Sequence, residues 1–341
     1  MRLIDLRLPT LLLILATAAA PLAAQVPEIG AIEFYGLRKV PQERLRRALG
    51  VREGERLPPS KGDMEERLEQ VEGVVRAHVE AACCEEGKAI LYVGIDERGG
   101  HHYELRPPPV EDLELPSHIL EAYARFLDAF GRAARAGDTE EDLREGHILL
   151  SNLACRVEQQ RFVGIAELNT EILASVLRRA EDPEHRAIAA YIIGYSPKKR
   201  MVIPDLQYAM QDPDPAVRTN AIRALHAVAV LGLSDRSQGI RVTPTWFIEL
   251  LNSLYWKDRH EAVRALVSFT EDRDRGVLDQ LRQRSLHALI EMAGWRSLPH
   301  ALPAYVVLGR VAGIGEKQIL ESWAKGEREV VLGPARKLSP R

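Results

Sequence analysis

A short pattern of small and apolar residues recurs four times in the second half of the chain. The copies start at Arg186, Arg218, Arg259 and Ala301, which lie 32, 41 and 42 residues apart. The third, fourth, sixth and seventh residues after each start are small or apolar: Ala189, Ala190, Ile192, Ile193; Ala221, Ile222, Ala224, Leu225; Ala262, Val263, Ala265, Leu266; Ala304, Tyr305, Val307, Leu308. Such a period indicates stacked helix pairs. The pattern therefore predicts an all-α solenoid, a fold whose extended surface is usually used for binding.

The predicted turn before the second helix of each pair supports this interpretation in the first two copies. Asp182 and Asp214 each precede a proline there. An Asp before a helix accepts bonds from its free amides, and a proline at the first helical position loses no hydrogen bond. Tyr255 and Ser297 occupy the same position in the third and fourth copies, whose assignment depends on spacing and small residues alone.

Residues 170–325 resemble the HEAT-repeat family, most clearly at Asp182-Pro-Glu-His-Arg186 and Asp214-Pro-Ala-Val-Arg218. The resemblance implies that the Arg of each second helix bonds the turn of an adjacent repeat. It also implies a concave face that binds protein partners. The residues to which it gives a structural role, and no catalytic one, are Asp182, Arg186, Gly194, Asp214, Arg218, Arg259 and Gly309.

The first 24 residues have the layout of a secretory signal. Arg2 and Arg7 precede an apolar run at residues 8–20, and small residues follow to Ala24. The run is too short to span a bilayer comfortably. We expect cleavage after Ala24 and an exported, periplasmic protein without a membrane span, and an uncleaved inner-membrane anchor is the alternative.

Residues 28–97 predict a small α+β domain with the order β-α-α-β-β. Alternating apolar residues predict strands at residues 29–36, 74–83 and 89–96. Helical spacing predicts helices at about residues 41–50 and 61–71. Leu91, Val93 and Ile95 are expected on one face of the last strand.

This domain resembles a POTRA domain, the periplasmic module of outer-membrane assembly and secretion proteins. The segments that carry the resemblance are Ile32-Glu-Phe34-Tyr-Gly36, Val40-Pro-Gln-Glu-Arg-Leu45, Gly54-Glu-Arg-Leu57, Val74-Val-Arg-Ala-His-Val79 and Ile90-Leu-Tyr-Val-Gly-Ile95. Its fold residues are Phe34, Gly36, Leu45, Gly54 and Leu57. The resemblance implies proximity to outer-membrane machinery. A sheet with open edges can also accept an extended peptide as an added strand.

The remaining segments connect and close these two parts. Residues 98–116 contain Pro107-Pro108-Pro109 and predict an extended, semi-rigid linker. Residues 117–168 predict a helical cap over the repeats at 169–325, with one helix after Ser117 and another from Thr139 through Leu150. Residues 326–341 are expected to form a flexible polar tail, and residues 233–244 an insertion between repeats.

Composition excludes some classes of partner. The net charge of −3 and the apolar fraction of 46% are those of an ordinary globular protein. They do not provide the basic field of a nucleic-acid-binding protein. Cys83 is expected on the buried face of its strand. The sequence does not decide whether Cys155 forms a disulfide bond with Cys83 or Cys84.

We find no sequence pattern that predicts catalysis. The chain has no phosphate-binding glycine loop and no nucleophile elbow. His101-His102 and His260-Glu261 each lack further ligands at a fixed spacing. The four tryptophans are expected to fill the core. We therefore predict a non-enzymatic scaffold or adaptor for protein partners, without catalytic residues, cofactor, metal or identified small-molecule substrate. A helical-repeat lyase or cofactor-binding enzyme, and a structural part of a secretion or division machine, are the alternatives.

Overall fold

The computed structural model describes residues 26–338, and they begin with a small mixed-sheet domain. The predicted secretory signal lies outside the described residues. The elements of the domain follow the predicted order. They are β1 Ile29–Tyr35, α1 Gln42–Leu49, α2 Gly62–Glu69, β2 Val74–Glu85 and β3 Lys88–Glu97.

The central strand of this sheet is buried on both faces. The strand order is β1-β3-β2, with β1 parallel and β2 antiparallel to β3. Leu91, Val93 and Ile95 lie in the core beneath α1 and α2, as predicted. Ile90 and Tyr92 point the other way and belong to the core of the helical part. The sheet is therefore a middle layer between its own helices and the solenoid.

The rest of the chain is helical, with one short hairpin. Its elements are α3 Ser117–Ala136, β4 Glu141–Asp142, β5 Leu149–Leu150, α4 Leu153–Leu168, α5 Thr170–Arg179, α6 Pro183–Ile193, α7 Lys199–Ala209, α8 Pro215–Ser234, α9 Thr245–Leu250, α10 Trp256–Phe269, α11 Arg275–Arg284, α12 Leu286–Ala293, α13 Leu298–Val311, α14 Glu316–Ala324 and α15 Glu329–Ala335. The second helices α6, α8, α10 and α13 pack in succession. All sixteen apolar positions of the repeat pattern are buried. The predicted helical-repeat architecture is thus confirmed.

The cap differs from the prediction after α3. A helix was expected from Thr139, but residues 138–151 form a hairpin instead. Asp142 accepts a bond from the Arg144 amide, and Gly146 takes a left-handed φ of 74° at the turn. The helix begins later, where Asn152 accepts bonds from two amides of the first turn of α4. Local side-chain bonds to the backbone therefore favour the turn over a helix.

The expectation for the C-terminal tail is also wrong in part. Residues 329–335 form α15, and Val331, Leu332 and Ala335 are buried against the last repeat. These three residues recur at helical spacing and form an apolar face on the helix, whereas the residues around it are mostly polar.

The cysteines do not follow the predicted pattern. Cys155 is a buried free thiol, so it forms no bridge with Cys83 or Cys84. Cys83 is exposed rather than buried. Its strand loses regular register with β3 between Ala82 and Glu85, which removes Cys83 from the alternating apolar face.

Residues 98–116, which we call the strap, run along the turns of the first two repeats. The Tyr103 hydroxyl donates to the Met210 carbonyl at 3.0 Å. The Glu111 amide donates to the Arg179 carbonyl at 3.0 Å, and the Glu111 carbonyl accepts from the Glu181 amide of the same turn at 2.7 Å. The strap therefore carries the chain from the second repeat back to the first while it stays bonded to the solenoid.

Candidate interaction surface

Buried arginines join consecutive repeats. Arg186 donates two bonds of 2.9 Å to the Asp212 carboxylate in the next turn. Arg218 donates at 2.9 Å to Asp258 in the third repeat, and both side chains are fully buried. Each arginine also bonds carbonyls of the turn before its own helix. These side chains hold the repeats in a fixed stack.

The third arginine extends the same arrangement into the fourth repeat. Arg259 donates at 2.6 Å to the Ser253 carbonyl of its own turn and lies 3.4 Å from the Glu291 carboxylate in α12. Sequence reasoning missed the carboxylates Asp212, Asp258 and Glu291. They follow their arginines by 26, 40 and 32 residues, so no constant spacing identified them.

The other repeat residues lie at helix ends and helix contacts. Asp182 accepts a bond from the second amide of α6, and Asp214 accepts from two amides of α8. A Cβ at Gly194 would lie 2.7 Å from Ala224, and one at Gly309 would lie 2.6 Å from Ile319. Glycine therefore allows close helix approach at both places.

The fold residues of the small domain have separate roles. Phe34 and Leu45 are in its core, and Leu57 packs partly buried against it. Gly36 has a φ of 80°, and a Cβ there would lie 2.2 Å from the Ile95 carbonyl oxygen. Gly54, with a φ of 87°, donates its amide to the Ile29 carbonyl. Both glycines therefore adopt a left-handed backbone conformation that would be strained in a residue with a side chain.

The sheet of the small domain docks directly on the turn of the third repeat. The Tyr35 hydroxyl donates to the Leu254 carbonyl at 2.8 Å, and the Arg259 guanidinium lies 4.4 Å from the Tyr35 ring centre. Burial raises the pKa of Tyr35 well above its usual value, so the hydroxyl remains a donor. A Cβ at Gly94 would lie 2.3 Å from the same carbonyl oxygen. Close contact of the two backbones requires glycine there.

Charged groups of the fourth repeat complete this contact. The Glu291 carboxylate accepts bonds of 3.1 to 3.2 Å from the amides of Gly36 and Leu37. His287 donates to the Leu37 carbonyl at 2.8 Å. Its bond with Glu291 raises the pKa of His287, although burial acts in the opposite direction. The fourth repeat thus holds the loop after β1 through one carboxylate and one imidazole.

Aromatic rings fill the seam between the two parts. Tyr92 stacks on Trp256 at 4.7 Å, and Trp256 stacks on His260 at 5.1 Å. The Tyr92 hydroxyl is 2.7 Å from His300 Nδ1. Trp295 lies 4.9 Å from Tyr92. Trp256 and Trp295 are therefore buried at an interface, whereas the other two tryptophans pack partly buried on the solenoid core.

The two histidine pairs singled out in the sequence make other contacts. His101 bonds the Glu249 carboxylate at 3.1 Å. Burial lowers the pKa of His260 to about 3, and Glu261 pairs with Lys257 and Arg264. Within residues 26–338, no group of three or more His, Cys, Asp or Glu could hold a metal ion.

The sheet edges are not open at the positions where an added strand would pair. The Ile29 amide and carbonyl bond the segment at residues 54–55. On the opposite edge, the amides of Ala77 and Val79 donate to Glu69 and Glu65 of α2. At these positions a peptide could not add to the sheet as a strand, because side chains and a loop use the groups that it would need.

The hairpin at residues 138–151 covers part of the second helices. Its Glu141 carboxylate bonds Arg223 of α8 and Arg264 of α10. A Cβ at Gly146 would lie 2.6 Å from the Leu231 side chain. Part of the solenoid surface expected to bind partners is therefore in contact with the chain itself.

A cavity of about 400 Å³ lies beside the insertion at residues 233–244, and we call it the insertion groove. Buried apolar side chains line it, namely Ala229, Ile240 and Phe269. Arg236 pairs with Asp272 across the entrance at 2.9 Å, and the exposed Arg241 also lines it. A Cβ at Gly232 would lie 2.6 Å from the Ile240 carbonyl oxygen, so the insertion packs closely on α8.

Comparison with known proteins supports the repeat assignment. The family model for HEAT repeats matches residues 170–237, which span α5 to α8 and thus the first two repeats. A comparison with curated proteins finds no match to this chain. None of the helices within residues 26–338 is long and apolar enough to cross a membrane.

Proposed function

We propose that the protein is a non-enzymatic scaffold that binds a protein partner through its helical repeats. The match to HEAT repeats supports an interaction role. One observation supports the insertion groove as the binding site. The groove has an apolar lining and an open entrance beside the second and third repeats. We propose that it receives an apolar side chain of the partner, with an acidic group next to Arg241.

Affinity capture with groove variants tests this proposal. Leu233 and Arg241 both line the groove, and Leu233 is exposed. We expect Leu233→Glu/Arg241→Glu to lose a partner that the unchanged protein captures. The matched control Leu168→Glu, at a residue that is 86% exposed elsewhere, should keep it. Equal capture by both variants would refute the groove as the site. A stoichiometric chromophore or metal in the purified protein would contradict the non-enzymatic assignment.

We further propose an exported, periplasmic protein whose small domain is POTRA-like. The order β-α-α-β-β and the positions of Phe34 and Gly36 support the resemblance. The layout of residues 1–24 supports export, and the POTRA-like order supports proximity to outer-membrane machinery. Mass spectrometry of the protein from fractionated cells should find Gln25 at its N-terminus in the periplasm. A chain that retains residues 1–24 in the inner membrane would favour an anchor, and a cytoplasmic protein would contradict export.

A further inference from the structure

A second concavity, on the small domain, is surrounded by arginines. It has a volume of about 680 Å³ and lies between the end of α1, the segment at residues 50–55 and β1. Arg46, Arg47 and Arg52 line it together with the apolar side chains of Ile32 and Leu49. A cavity of this size is large enough for a small-molecule ligand.

The three guanidinium groups have no carboxylate partner. Within the described part of the chain, no ion pair closer than 4.0 Å includes Arg46, Arg47 or Arg52, although arginines elsewhere form many such pairs. Arg46 lies 5.3 Å from the Phe34 ring centre. Arg47 donates to the Glu43 carbonyl. Neutral contacts therefore orient two of these side chains and leave their positive charge unpaired.

Two carboxylates also line the concavity. Glu53 pairs with Arg296 of the solenoid, with bonds of 2.5 and 3.0 Å. The Glu55 carboxylate accepts the Arg52 amide at 3.0 Å. The Glu55 carboxylate and the C-terminal end of α1, which contributes about half a negative charge at most, offset only part of the three positive charges.

We propose that this concavity binds a phosphate group that is attached to an apolar moiety. Guanidinium groups bind phosphate oxygens through paired, charge-assisted hydrogen bonds. A phosphate monoester also offers more free oxygens to three guanidinium groups than a carboxylate or a phosphodiester does. Val51, a partly buried residue of the same lining, provides the apolar surface. The ligand is either a soluble phosphate ester or a phospholipid headgroup, and both share this chemistry.

Binding measurements on the purified full chain distinguish the two sources. Calorimetric titration with pyrophosphate tests whether the concavity binds a soluble phosphate compound. Flotation with vesicles that contain phosphatidic acid, a phosphate monoester, compared with phosphatidylcholine alone, tests the lipid source. We expect Arg46→Gln/Arg47→Gln/Arg52→Gln to lower the affinity at least about tenfold, since several charge-assisted hydrogen bonds are removed.

The matched control is Arg132→Gln/Arg135→Gln/Arg200→Gln, which removes three exposed arginines outside the concavity. It should change the affinity less than about twofold, because isolated surface charges contribute little. Binding in either arm that depends on Arg46, Arg47 and Arg52 supports the site. An equal loss in both triple variants, or no binding of pyrophosphate or anionic vesicles by the unchanged protein, overturns it.

Discussion

The first two repeats and the last two use the turns between their helices for different contacts. In the first two, Asp182 and Asp214 cap the second helices, and the strap bonds the turns from outside. In the last two, Tyr255 and Ser297 hold the same position without a side-chain cap. The sheet of the small domain lies against those turns instead.

This difference explains why the repeat pattern weakens along the chain. Tyr255 contacts His78 of β2 at 4.5 Å, and Trp256 stacks on Tyr92 of β3. A lost cap costs about 1 kcal/mol. Burial of one large apolar side chain contributes roughly 2–3 kcal/mol. Aromatic contacts with the sheet can therefore outweigh the caps that they replace, and the departures from the pattern mark an interface.

The largest expected effect comes from the buried pair that joins the second and third repeats. Arg218→Met leaves the Asp258 carboxylate buried without its cation, and we expect a loss of about 3–5 kcal/mol in the free energy of unfolding. Arg218→Met/Asp258→Leu should recover part of this loss, because no charge is then left unpaired. Arg236→Met removes an exposed pair and should cost less than about 1 kcal/mol. Urea unfolding of the three variants measures these differences, and similar losses in Arg218→Met and Arg236→Met would refute the buried link.

A smaller effect should separate the small domain from the last repeats. Gly94→Ala places a Cβ 2.3 Å from the Leu254 carbonyl oxygen, and backbone on both sides limits relaxation. We expect a loss of about 1–3 kcal/mol from overpacking, together with faster proteolysis of the strap as the domains part. Gly164→Ala makes the same change on α4, where nothing lies within 4 Å of the added carbon. It should stabilise the helix by up to about 1 kcal/mol. If Gly94→Ala behaves like Gly164→Ala, the sheet is not docked as described.

The sequence could predict the features that depend on neighbours along the chain. Alternation and helical spacing identified the five elements of the small domain and the sixteen buried repeat positions. Asp182 and Asp214 were recognisable because a cap acts on the next few amides. The helix expected from Thr139 failed because Asp142 and Asn152 form local bonds that favour a turn and a later start.

The interface depends on residues far apart in sequence and was not predicted. Tyr35 bonds Leu254, and Glu291 bonds the loop after Gly36, across more than 200 residues. One indication was present in β3, where apolar residues occupy both Leu91 and Tyr92 instead of alternating with polar ones. Such a run is typical of a strand that is covered on both faces.

The two regions should also respond to acid in opposite directions. His226, which bonds Ser268 between the second and third repeats, has its pKa lowered to about 4 by burial, with a further contribution from Arg264. As pH drops, His226 is protonated in the unfolded chain before it is protonated in the folded protein. The free energy of unfolding therefore falls between about pH 6.5 and 4. The raised pKa of His287 acts oppositely. Protonated His287 stabilises the folded state below about pH 6.5, and this stabilisation is lost as pH rises through the pKa of His287 in the folded protein.

Unfolding at a series of pH values checks this contrast. His226→Gln should reduce the loss of stability between pH 6.5 and 4 by about 3 kcal/mol. His287→Gln should remove the stronger protection of the Gly36 and Leu37 amides from hydrogen exchange at low pH. Unchanged pH profiles in both variants would contradict the assigned environments.

The smallest effect concerns the caps that distinguish the first two repeats. Asp214→Ala leaves two amides at the start of α8 without their acceptor, and we expect a loss of about 1 kcal/mol. Asp128→Ala, at an exposed position within α3, is the matched control and should change stability by less than about 0.5 kcal/mol. Thermal unfolding measures both. The third and fourth repeats fold without such a cap. A full loss of folding in Asp214→Ala would therefore show that Asp214 has a further role besides accepting bonds from the helix amides. Equal stability of the two variants would show that the other contacts of the turn, those with the strap and with Arg218, hold it without the cap.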